Sequence, residues 1–146
     1  MWQIEDFNTF IPKLDPLDYP NTIIGLGYAH SVLSEPKKYN LYIQQLIQKF
    51  ITDVKESLSD TSKYYFDWSK GERYLKYVQR FKHVKGANWI SPYILYEPWQ
   101  KFLFVYLMSA MRRDNNRRRF RNAFIMLPRG NGKSAISSQL ALLLLS

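Results

Sequence analysis

The sequence predicts an α/β fold of which the chain carries an incomplete share. A mostly helical region over about residues 1–90 precedes a strand, a glycine-containing loop and a helix over 91–146. Three observations predict this. Apolar residues recur at helical spacing through the first region, a basic, apolar-ended stretch from Arg119 to Leu127 reads as a strand, and that stretch runs into Leu127-Pro128-Arg129-Gly130-Asn131-Gly132-Lys133-Ser134. A helical segment then extends over about 132–145, and strand, loop and helix in that order are the context a phosphate-binding loop requires.

Composition bounds the rest. At 146 residues the chain is about one domain long, and 46% hydrophobic with 16% aromatic residues suffices for a packed core. Lysine and arginine outnumber aspartate and glutamate by 21 to 12, a net +9, which favours a polyanionic partner such as nucleic acid or phosphates. With no cysteine, a disulfide framework and a cysteine-based metal site are excluded. The start, Met1-Trp2-Gln3-Ile4-Glu5-Asp6, lacks the basic and apolar regions of a secretory signal, and no apolar run approaches a bilayer-spanning length. The expectation is a soluble intracellular protein.

Taken in order, the first forty residues hold Pro12, Pro16, Pro20, Pro36 and a Gly25-Leu26-Gly27 pair, predicting an extended lead-in with short turns. The glycine pair is not a dinucleotide fingerprint, because His30 stands where the third glycine belongs. Over about 40–57, Ile43, Leu46, Ile47, Phe50, Ile51 and Val54 form one face of an amphipathic helix, with Gln44, Gln48, Lys49 and Asp53 among the polar residues opposite. Ser69-Lys70-Gly71-Glu72 has the form of a capping box and predicts a second helix over about 70–82. Tyr74, Tyr77, Val78 and Phe81 line one face of it, a pattern that serves a core, while their interleaving with Lys76, Arg80 and Lys82 also suits a single-strand binder. His30 and His83 match no ligand pattern and read as structural or surface residues.

A turn-rich connector over 86–92 marks the boundary between the two regions. Pro98 then suits the first turn of a helix continuing to about residue 110, so apolar all round that it needs neighbours on more than one side. Gln100, near its start, is a polar group that requires a partner, from backbone or ligand. Between Arg112 and Arg121 six of ten residues are arginine. They suit phosphate oxygens, or form a solvated loop turning at Asp114-Asn115-Asn116, with Arg112 and Arg113 at the carboxyl end of the preceding helix.

In a phosphate loop, successive backbone N–H groups and the positive end of a helix converge on phosphate oxygens. Gly130 and Gly132 permit the positive φ this needs, Asn131 tolerates it, Lys133 would reach the β- and γ-phosphates of ATP, and Ser134 would ligate Mg²⁺. The pattern's first glycine is replaced by Leu127.

Glu97-Pro98-Trp99-Gln100-Lys101-Phe102, the arginine-rich turn, Phe120-Arg121-Asn122-Ala123-Phe124 and the loop itself, with Phe81-Lys82-His83-Val84-Lys85-Gly86 upstream, resemble in order the amino-terminal ATPase region of the large terminase subunit of tailed bacteriophages. The likeness covers about residues 28–146. In that family the Walker A motif commonly lacks its first glycine and carries an early arginine. The resemblance implies a P-loop NTPase fold, with phosphates and Mg²⁺ held by Lys133 and Ser134, a γ-phosphate contact from Arg129 and an adenine contact from Gln100.

It implies further that the whole protein packages double-stranded DNA into capsids in the host cytoplasm, with a small terminase subunit and a portal as partners and a nuclease domain that cuts the DNA. From Ala123 to Ser146 there is no aspartate or glutamate, so neither a Walker B carboxylate nor a water-activating acid is present, and the expectation is an amino-terminal portion inactive alone. The apolar helix at its end predicts self-association or a complementing partner. The alternative is a non-enzymatic basic module that binds DNA or a packaging partner.

Overall fold

Helices begin earlier than the proline-rich lead-in suggests. The computed structural model describes residues 1–83, 91–130 and 132–145. Within them α1 (Ile4–Phe10) and α2 (Pro20–Ser34) occupy the stretch expected to be extended. Pro20 stands in the first turn of α2, where its missing N–H costs nothing. The periodicity of α2 is hidden because its buried residues, among them Thr22, Gly25, Leu26, Ala29 and Val32, face neighbours on several sides.

Helix α3 (Leu41–Ser57) is capped by Asn40, whose side chain accepts from the Ile43 N–H at 2.9 Å. Its apolar face is as expected at Ile47, Phe50, Ile51 and Val54, but Leu46 is 37% exposed and Asp53, placed on the polar face by its spacing, is buried. Strand β1 (Tyr64–Phe66) follows, then α4 (Trp68–Val78). The capping box expected at Ser69 is displaced: Asp67 is the N-cap, its carboxylate accepting from the Ser69 N–H at 3.2 Å.

Glu72 is thereby released for a different task. Buried, it crosses to the start of α2 and accepts from the Thr22 N–H and hydroxyl, both at 2.8 Å, and from the Asn21 side-chain amide at 2.9 Å. Tyr19, the N-cap of α2, makes no side-chain cap, so the carboxylate from α4 satisfies its orphan donors and faces its positive end.

The boundary connector lies largely outside the described residues. Helix α5 (Pro98–Ser109) starts at its proline as expected and is covered on two sides, by α2 and by α4. Each contact is made at a glycine. A Cβ on Gly25 would lie 2.8 Å from the Phe102 backbone nitrogen, and one on Gly71 would lie 2.4 Å from the Ser109 hydroxyl and 3.1 Å from the Val105 Cα.

Two apolar clusters result. Around Phe50, edge-on to Phe66, Trp68, Phe102 and Tyr106 at 5.0–6.4 Å, gather residues of α1, α2, α3 and α5. The second joins Tyr74, Leu75 and Val78 of α4 to Phe104, Val105 and Met108 of α5, with Ile136 and Leu140 of α6 (Lys133–Leu145) packed on it.

A small sheet was not foreseen. β1 pairs antiparallel with β2 (Ala110–Arg112), in the register Tyr64↔Arg112 and Phe66↔Ala110. The strand expected over 119–127 does not form: beyond the isolated Met111–Arg118 bridge the chain is extended without a ladder, and Phe124 and Met126 are 89% and 81% exposed. Among the described residues no strand lies beside it to supply hydrogen bonds. The fold is thus α/β, mostly helical, with a two-stranded sheet. Among the described residues no helix is long and apolar enough to cross a membrane.

The two close approaches make a prediction with an internal control. Gly25→Ala and Gly71→Ala should each destabilise by about 1–3 kcal/mol through overpacking. Gly27→Ala, on the same helix as Gly25 but with nothing within 4 Å, should stabilise by about 0.5–1 kcal/mol. Urea unfolding of the three variants measures both signs.

Candidate functional site

The loop sits where the extended segment meets α6. Gly130 has φ +86° and Gly132 φ +71°, the left-handed region that glycine adopts without strain. The Gly132 carbonyl accepts from the Ile136 N–H at 3.0 Å, so α6 begins directly behind the second glycine. Lys133 is its first residue and Ser134 its second. Arg129 and Ser134 are exposed. Asn131 and the Lys133 side chain lie outside the described residues.

α6 is fixed from beneath. Ile136 and Leu140 rest on the second cluster, and the Tyr96 hydroxyl donates to buried Gln139 Oε1 at 2.5 Å, leaving Gln139 Nε2 without a partner. Burial pushes the Tyr74 hydroxyl up to about 12 and that of Tyr96 higher still, so both are neutral at neutral pH.

Gln100 lies behind the loop. Together with Trp99, Leu103, Leu127, Ile136 and Ser137 it lines a cavity of about 110 Å³. Its Oε1 accepts from the Glu97 N–H at 2.8 Å, and the Glu97 side chain accepts in return from the backbone of Gln100. This reciprocal capping box is the backbone partner that a buried Gln100 needs. The cavity is smaller than the roughly 300 Å³ at which ligand pockets begin.

The six arginines divide by partner. Arg119 is the structural one: its guanidinium lies 3.1 Å from the buried Asp53 carboxylate and 4.2 Å from the Tyr64 ring centre. The Tyr106 hydroxyl donates to the same carboxylate, burial and that bond together raising the pKa of the hydroxyl, and Lys49 approaches from solvent at 3.1 Å. Arg113, expected at the end of the preceding helix, instead donates to the Ser57 carbonyl at the end of α3, at 3.0 Å. Arg112 pairs with exposed Asp114 at 2.6 Å. The chain turns at 114–116 as expected, with Asn116 at φ +54° and the Arg112 N–H donating to the Arg117 carbonyl at 2.8 Å.

Arg117, Arg118 and Arg121 remain. They form one wall of a cleft of about 820 Å³, opposite Lys70 and Arg73 of α4. None of the eleven residues lining it is acidic, and none of these five cations enters an ion pair among the described residues. Sequence reasoning missed Lys70 and Arg73, because it weighed the basic residues of α4 and the arginine run separately and nothing in their spacing joined them.

His30 is a packing residue, its ring edge-on to Phe7 at 5.5 Å. Among the described residues no three His, Asp or Glu side chains gather as a metal site. No protein-family model, no curated protein and no solved structure matches this chain.

The division of the arginines is testable by stability alone. Arg119→Ala removes the more buried of the two cations on Asp53, leaving Lys49 on the solvent side, and should cost about 1–3 kcal/mol, whereas Arg117→Ala and Arg118→Ala should stay within about 0.5 kcal/mol of the parent. Thermal and urea unfolding of the three variants compares them directly.

Proposed function

We propose that this chain is the amino-terminal part of a DNA-packaging motor ATPase of the large terminase type, and that residues 129–134 cradle the phosphates of ATP. The observation that carries the reading is the pair of positive-φ glycines immediately before the start of α6. Positive φ at closely spaced positions ahead of a helix start is the backbone conformation from which N–H groups can be offered to an anionic oxygen.

The donor set fits phosphate. Gly130, Gly132, Ser134 and Ala135 supply backbone N–H groups, Lys133 and Arg129 supply charge, and no carboxylate lies between Ala123 and Ser146 to oppose it. For Mg²⁺ the fit is narrower: the loop offers only the Ser134 hydroxyl, so a cation would be held chiefly by the phosphates themselves. Mg²⁺, when bound, supplies neutralisation of the phosphate charge. Gln100 sits behind the loop, where its side-chain amide would meet the adenine of a bound nucleotide once Trp99 or Leu127 gives way.

Without a carboxylate after the loop, nothing there orients or deprotonates a water for attack on the γ-phosphate. On this reading, DNA translocation, the nuclease, the small subunit and the portal are features of the terminase-type motor as a whole. In the host cytoplasm such a protein would act on double-stranded DNA.

Binding without turnover is the expected outcome. A fluorescent ATP analogue with Mg²⁺ should bind this chain weakly, and Lys133→Ala should weaken it by at least about tenfold, or ~1.4 kcal/mol. Phosphate release should not exceed background. Binding indifferent to Lys133 would overturn the assignment of the loop, and Lys133-dependent turnover would overturn the claim that the chemistry lies elsewhere.

A further inference from the structure

A second concavity of the described residues lies away from the loop. No residue of 122–145 lines the 820 Å³ cleft between α4 and the arginine-rich turn. Its construction is two-layered. Tyr74, Met108 and Met111, all buried, make an apolar floor, with Tyr77 and Phe120 half-buried at its sides. Lys70, Arg73, Arg117, Arg118 and Arg121 make the rim. Arg118 links the layers, its Nη1 lying 3.6 Å from Met108 Sδ.

An adjacent groove shows by contrast what a structural basic surface looks like. It shares Arg73 and Tyr77 but also holds Asp18 and Glu72, and its Lys76 donates to the Asp18 carbonyl at 2.9 Å and lies 3.9 Å from Glu72. Charge there is answered from within the protein. In the larger cleft five cations face one space with no counter-charge of the protein's own, a repulsive arrangement that a bound polyanion would relieve.

The geometry points to a binding site for single-stranded nucleic acid in this cleft, with backbone phosphates on the five-cation rim and unpaired bases against Tyr77 and the apolar floor. A simple phosphate or a metabolite anion would use the rim and leave the floor wet. A duplex keeps its bases stacked inside and would likewise meet the rim alone. A single strand offers π-faces and charges together, and aromatic side chains beside a cationic track are how such strands are held without sequence preference.

This site is independent of the phosphate loop, and the experiment separates them. Fluorescence anisotropy of the full chain would be read with a labelled oligothymidylate and an oligouridylate of about 12 nucleotides, within the range of known site sizes, and with a duplex of equal length. Either single strand should bind at least about tenfold more tightly than the duplex, the tighter of the two identifying the natural strand, with a log–log salt slope of about −0.7 per phosphate neutralised.

Arg117→Ala with Arg121→Ala, both exposed, should flatten that slope by about 1.4, and Tyr77→Ala should weaken binding by about fivefold or more with little change of slope. Lys133→Ala should change neither, and Mg²⁺–ATP should not compete. Equal or tighter binding of the duplex, no single-strand binding at low salt, a slope indifferent to the arginines, or competition by ATP would each overturn the assignment.

Discussion

The architecture depends on how closely α5 approaches its two neighbours. At Gly25 the α2 backbone meets the backbone of Lys101 and Phe102, and at Gly71 the α4 backbone admits Ser109 and Val105. Glycine at both points lets two neighbouring helices approach one apolar helix closely, which is how a segment apolar all round can be buried without a large sheet. Every functional candidate hangs from that packing. The start of α5 brings Gln100 behind the glycine loop over 129–134, its middle supplies Phe104 and Val105 to the cluster on which α6 rests, and its end delivers Met108 to the basic cleft.

Two buried carboxylates complete the arrangement, and both are satisfied by groups distant in sequence. Glu72 joins α4 to the first turn of α2, and Asp53 joins α3 to α5 and to the arginine-rich turn through Tyr106 and Arg119. Removing either would leave charge or donors stranded in an apolar surrounding, a far larger penalty than the intact pair contributes. The chain's excess of positive charge is therefore not all available to a ligand. Arg119 and Arg113 are committed internally, and the surplus collects where the protein offers no counter-charge.

Periodicity made α3 and α4 legible, Pro98 marked the start of α5, and the order of loop then helix marked α6. Helices α1 and α2 were not legible. Prolines and paired glycines read as breaks in a linear scan, yet Pro20 begins a helix and Gly25 is a contact point. Asp53 and Glu72 show the same limit: helical spacing put one in solvent and local capping logic gave the other to its own helix, while tertiary partners decided otherwise. The positive φ at Gly130 and Gly132 was legible in the sequence, since glycine stands at both positions. The basic cleft was not, since its two walls come from residues 70–77 and 108–121 and only the fold brings them together.

The extended segment over 122–127 leads from the arginine-rich turn to the loop with its apolar side chains largely exposed, while α6 is anchored through Ile136, Leu140 and the Tyr96–Gln139 hydrogen bond. The loop thus adjoins an anchored helix, and phosphate binding would draw on that side. Amide chemical-shift mapping by NMR during titration with Mg²⁺–ATP tests this most directly. The result expected is that the largest shifts fall on Gly130, Gly132, Ser134 and Ala135, with the Gln100 side-chain amide following. Shifts confined to the cleft residues Arg73, Arg117 and Arg121, or no saturable shift at the loop, would contradict it.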